Sequence, residues 1–167
     1  MLHSVALKTQ SLNRLSQSRV EAIQQAQTLF DKTMLIPDLM VSEQQGLINN
    51  MAQVYLMELI HLFEDGHDIL PPGKKLLAFL NPAENQLKND PNLLLNLAST
   101  HLLMTEYLRR QQQPINNHLT QVEKHLSEAL AINPNNPNTL ISQARLLTLK
   151  SHLKDQNNNT HNTVIKQ

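Results

Sequence analysis

Cysteine is absent from the 167 residues, glycine occurs 3 times, and aromatic residues make up 3%. Without thiols there is no disulfide, no thiolate zinc site and no cysteine nucleophile. Scarce glycine and few aromatic side chains argue against strand-rich folds, which draw on turn glycines and on β-branched and aromatic residues. Gly46, Gly66 and Gly73 form no phosphate-cradling loop, and no Gly-x-Ser-x-Gly elbow occurs. An excess of either charge is also missing, with 14 basic against 14 acidic residues. That balance removes the electrostatic footprint expected for nucleic acid or an anionic membrane surface. The densest basic spots, Lys74-Lys75 and Arg109-Arg110, are too short to track a phosphate backbone and read as solvated helix surface. No apolar run reaches the roughly 18 residues that a membrane span needs. Met1 to Gln10 lacks the apolar core and small-residue cleavage site of a secretory leader. The expected setting is cytoplasmic, for a whole protein or a fragment of a larger one.

Leucine and glutamine are abundant instead, and the 8 prolines lie mostly where segments meet. One spacing recurs. Asp90-Pro91-Asn92-Leu93-Leu94 returns as Asn136-Pro137-Asn138-Thr139-Leu140, with Pro137 standing 46 positions after Pro91. The same offset links Met51 to Leu97, Ala52 to Ala98, Ala98 to Ala144 and Ala83 to Ala129. A period of 20–50 residues marks supersecondary units that cannot bury their apolar faces alone and so pack against copies of themselves.

Apolar periodicity predicts a helix from Ser11 to about Thr33, with Leu12, Leu15, Ile23, Ala26, Leu29 and Phe30 on one face. Met34 to Asp38 reads as a connection, and a second helix runs from about Leu39 to Asp65, capped by Gly66. Leu76, Leu77 and Leu80 open a third helical face that Pro82 is expected to break or kink. Asn92 to about Gln111 carries apolar groups on more than one side, the mark of a helix between neighbours. Pro114 to Ile132 follows, and a last helix is expected to bury Leu140, Ala144, Leu147 and Leu153. The polar tail from Asp155 has nothing to bury and is expected to be disordered. The predicted organisation is thus an N-terminal helix and connection over 1–38, helical repeats over 39–153 and a disordered polar tail over 154–167.

Val122, Leu126, Ala129 and Pro134, followed by Leu140, Ala144 and Leu147, resemble the join between two tetratricopeptide repeats. Leu94, Leu97 and Ala98 resemble the preceding unit, whereas His101, Gln143 and Lys88 depart from the family pattern. The family repeat has about 34 residues, so this unit carries about twelve more, around Gln111 to Ile115. Such enlarged units resemble repeat regions that follow bacterial serine/threonine kinase domains. The resemblance covers roughly residues 45 to 153. It implies an all-α fold, a right-handed stack of helical hairpins (a TPR-like α-solenoid) with an N-terminal capping helix. It also implies a concave groove lined by the first helix of each unit. Transferred by position, the groove residues are Asn49, Gln53, Asn92, Leu95, Asn96, Ser99, Leu102, Asn138, Ile141, Arg145 and Thr148. Asn49, Asn138 and Ser142 stand where some family members carry a basic carboxylate clamp, which disfavours a chaperone-tail receptor.

The expected function is a non-enzymatic protein–protein interaction module, the regulatory part of a bacterial signalling protein. It holds a protein or peptide segment in that groove, with no cofactor, nucleic acid or membrane partner. Two alternatives stay open. One is a small metal-dependent enzyme built on His61, Glu64, Asp65, His67 and Asp68, although that spacing matches no established ligand motif. The other is a self-associating helical scaffold forming a homodimer through an apolar end. His118 and His125 share a helix face but lie about 10 Å apart along it, too far to ligate one ion without another element between them. His101 falls on an apolar stripe, where a packed, hydrogen-bonded imidazole is the usual case; if it titrates, it is a pH-sensitive contact.

Overall fold

The computed structural model describes the backbone of residues 2–87 and 89–164 and the side chains of 17–87 and 89–154. The described residues are all-α. They form α1 (Leu2–Met34), α2 (Val41–Glu64), α3 (Leu70–Gln86), α4 (Pro91–Arg110), α5 (Asn116–Ile132) and α6 (Pro137–Val164), with no strand among them. The chain divides into two compact units within α2, residues 1–58 and 59–167.

In the first unit α1 starts nine residues earlier than its apolar periodicity, at Leu2 rather than Ser11. Ile23, Ala26 and Phe30 are half-buried, and Leu29 is exposed; Leu12 and Leu15 lie outside the described side chains. The carboxylate of Glu43 accepts from the Met40 backbone N–H at 2.9 Å. This is the reach-back half of a capping box and fixes the start of α2. Met51, Ala52 and Leu56 on α2 are buried.

In the second unit α4 is the central helix and packs against α3, α5 and α6, while α5 also packs against α6. Its residues Leu93 to Ala98 are all buried, which accounts for the apolar groups around its circumference. One core cluster gathers Leu95, Ala98 and Leu102 of α4, Val122 and Leu126 of α5, and Leu146 and Leu149 of α6. A second joins Leu59 and Phe63 at the end of α2 to Ile69 and Leu103.

The 46-residue offset reappears in the backbone. α3 and α5 begin and end that far apart, at Leu70 and Asn116 and at Gln86 and Ile132. Each is followed by the same turn: Leu87 N–H bonds Ala83 C=O and Asp90 N–H bonds Leu87 C=O, as Asn133 bonds Ala129 and Asn136 bonds Asn133. α4 and α6 then open alike, with proline at the first helical position and a side-chain oxygen at the cap. Asp90 Oδ1 accepts from Asn92 N–H at 2.9 Å, and Asn136 Oδ1 accepts from Asn138 N–H at 3.0 Å. Both caps satisfy N–H groups that a helix start leaves without partners. The ends of α2 and α4 correspond as well. Gly66 (φ 78°) and Gln112 (φ 56°) are both left-handed. His67 N–H reaches Leu62 C=O at 2.8 Å, and Gln113 N–H reaches Leu108 C=O at 2.9 Å. Each is a Schellman ending.

Two expectations need correction. Pro82 does not break α3, which continues to Gln86. Pro82 and Ala78 are both exposed, so water can reach the helix where proline removes a donor. Of the face expected on α6, Leu153 packs against the core, but the rest of the helix presents another side. Leu146 and Leu149 are buried together with Thr139 and Ser142, whereas Leu140 is 47% and Leu147 57% exposed, and Ala144 is exposed too. α6 is helical to Val164, and the side chains of 155–164 and all of residues 165–167 lie outside the described part.

Candidate functional site

The expected groove residues separate into three groups. Leu95, Asn96 and Leu102 are 9%, 1% and 2% exposed. Leu95 and Leu102 belong to the core shared with α5 and α6, so none of the three is open to a partner. The reason is geometric: α4 has helices on three sides, and the positions assigned to an open face lie under α5 and α6. Asn92 and Asn138 are exposed in the first turns of α4 and α6, and Ser99 is half-buried on α4. Asn49, half-buried, and Gln53, exposed, stand on α2 in the first unit. Ile141, Arg145 and Thr148 line one groove.

Those three line an open groove of about 450 Å³ between α4 and α6, with Ala144, Leu149, His152, Glu106 and Arg109. Its floor is apolar, and charged groups stand on its walls. Arg145 pairs with Glu106 at 3.5 Å. Arg109 contributes a buried Nε with no hydrogen-bond partner. Glu106 and Arg109 were not singled out for the groove, because on α4 they fall between the apolar stripes and read as ordinary solvated surface.

A histidine cluster lies between α4 and α5. His101 Nδ1 and His118 Nδ1 are 2.8 Å apart, so one carries the proton and donates to the other. The ring of His125 stacks on His101, with centroids 5.9 Å apart and planes inclined by 16°. His125 Nε2 lies 3.2 Å from Glu84 Oε1 on α3, and Lys124 Nζ donates to the same oxygen at 2.8 Å. The second His125 nitrogen, Nδ1, is buried without a partner. His101 is thus the element between His118 and His125 that the sequence required for any joint role.

Burial, followed by the charges on His118 and His125, pushes His101 down to about 4, against the pull of Glu84. Burial, helped by Lys74, also lowers His118. Burial alone would raise Glu84, but the hydrogen bonds from Lys124 and His125 reverse this and hold it below its ordinary value. Near neutral pH the cluster therefore holds His101 and His118 as neutral imidazoles beside an ionised carboxylate.

Among the described residues no group of three histidine or carboxylate side chains is placed to hold a metal ion. This includes the acidic cluster after α2, where His61 and Glu64 form an exposed pair at 3.7 Å and Asp68 caps Leu70 N–H at 2.9 Å. No protein family, curated protein or solved structure matches this chain. The groove and the histidine cluster therefore have to be read from their own chemistry. Among the described residues no helix is long and apolar enough to cross a membrane.

Proposed function

We propose that the chain is a non-catalytic protein-interaction module, a TPR-like array of helical hairpins that holds a partner segment in the groove between α4 and α6. The observation that carries this reading is the 46-residue recurrence of helix bounds, cap hydrogen bonds and left-handed endings. A repeating scaffold of this kind suits an extended recognition surface better than a single enclosed pocket. The groove fits an occupant that offers an apolar anchor to Ile141 and Leu149 and hydrogen-bonding groups to Arg145, Thr148 and His152. Attachment to a bacterial signalling polypeptide belongs to the same proposal and rests on the enlarged repeat alone.

The test is site-specific photo-crosslinking in the native host. A photoreactive residue at Thr148 is expected to trap one partner, and trapping is expected to disappear with Ile141→Glu. Both positions are exposed, so helical content by circular dichroism stays unchanged. Equal trapping from Ser127, exposed on α5, or trapping that survives Ile141→Glu would overturn the assignment.

A further inference from the structure

Met34, Leu35, Ile36, Met40 and Val41 are all exposed at the turn that joins α1 to α2, Leu35 to 81%. Single apolar residues on a surface are ordinary, but five around one turn form a patch, and such patches mark contact sites. The turn has a fixed shape. Leu35 N–H bonds Lys32 C=O and Ile36 N–H bonds Thr33 C=O, Asp38 is left-handed (φ 64°), and Glu43 holds the Met40 N–H. A segment already ordered loses little freedom when it docks. The turn is also acidic, with Asp31, Asp38 and Glu43 against Lys32 alone.

The groove between α4 and α6 has the opposite character. Its apolar residues include Ile141 and Leu149, and its charged residues are Arg109, Arg145 and Glu106, with His152 beside them. Glu106 is taken by Arg145. Arg109 keeps a buried Nε with no hydrogen-bond partner, a costly arrangement that an incoming carboxylate on the same guanidinium would offset. From Pro137 to Lys154, α6 supplies no acid of its own; the side chain of Asp155 lies outside the described residues. Turn against turn would oppose carboxylates, and groove against groove would oppose guanidiniums. Turn against groove is the pairing that joins opposite charges. We propose that the groove of one copy takes the α1–α2 turn of a second copy, with Leu35 and Ile36 against Ile141 and Asp38 facing Arg109. At about 450 Å³ the groove has room for a few side chains. The contact is heterologous, since each copy carries one turn and one groove. The proposal rests on the groove reading given above and names its occupant.

Sedimentation velocity of the full chain over a concentration series is the test, and reversible self-association is expected. Leu35→Glu with Ile36→Glu in the turn, or Ile141→Glu in the groove, should each weaken it at least about tenfold. All three positions are exposed. Mixing the two variants is the decisive arm. The turn variant keeps an intact groove and the groove variant an intact turn, so together they are expected to form a one-to-one complex where each alone is monomeric. Misfolded variants would not complement one another. Asp38→Asn, which tolerates positive φ, should weaken association at least about threefold, and Asp155→Asn should leave it unchanged. A monomeric wild type, a mixture that stays monomeric, or association indifferent to Asp38→Asn would overturn the proposal. A monomer that still crosslinks another protein from Thr148 removes the second copy and keeps the groove function. Association that is lost with the turn variant but survives Ile141→Glu removes the groove as its site.

Discussion

Gly66 and Gln112 occupy equivalent left-handed positions, and only the first is announced by its residue type. Glycine has no Cβ to clash at positive φ, so the end of α2 is legible in the sequence; glutamine pays a steric penalty there, and nothing in its chemistry signals the turn. Gln112→Gly is therefore expected to stabilise the protein by about 0.5–1 kcal/mol in urea unfolding, relief of strain outweighing the freer unfolded chain. Gly73 has the opposite constraint: a Cβ there would come within 2.8 Å of Met104 Sδ, itself fully buried. Gly73→Ala is expected to cost about 1–2 kcal/mol, in the range of overpacked cores. Gly46→Ala, with open space around it in α2, should gain about 0.5–1 kcal/mol from helix propensity alone. A pair of urea curves compares the two glycines directly. The Asp90 cap was readable as the Asp-Pro pair that recurs as Asn-Pro. Removing its oxygen with Asp90→Ala is expected to cost about 1 kcal/mol.

At the level of helices, hydrophobic periodicity located α2, α4 and α5 to within a few residues. It misjudged α6 because that helix has two stripes. Periodicity ranks Leu140, Ala144 and Leu147 as the better buried face, but Thr139, Ser142, Leu146 and Leu149 meet the core. Leucine count carries no information about which side a neighbour occupies. Pro82 was weighted too heavily for a related reason. Its cost depends on whether water can reach the freed carbonyl, and Ala78 is exposed. α3 still forgoes one backbone hydrogen bond there. Pro82→Ala is accordingly expected to stabilise the protein by about 1–2 kcal/mol, the regained hydrogen bond being partly offset by a looser unfolded chain. Of the eleven groove residues transferred by position, Ile141, Arg145 and Thr148 meet at the α4–α6 groove. Leu95, Asn96 and Leu102 do not, since transfer by position gives a helix face but not how many neighbours that helix has.

The molecule as a whole should respond to acid through the α4–α5 interface. His101, depressed from 6.5 to about 4, and His118, also lowered, bind protons less readily in the folded state than in the unfolded one. Their contribution is therefore fully present above about pH 6.5 and is lost as the pH falls toward 4, the unfolded chain taking up the extra protons. Glu84, held below its ordinary value by Lys124 and His125, keeps its charge through most of that window. The unfolding temperature is expected to be flat above pH 6.5 and to decline below it. His101→Leu with His118→Leu, which keeps the contact apolar, should flatten the decline; a slope unchanged by that pair would assign the acid sensitivity elsewhere. The recurrence of caps and endings has one more consequence, for the lengths of chain this architecture tolerates. Asp90 and Asn136 follow the same turn and precede the same proline, so excising residues 90–135 leaves a junction with the chemistry of either original. A polypeptide shortened by that whole period is expected to retain a cooperative melt, whereas one trimmed by a few residues more or fewer would rotate every later side chain out of phase.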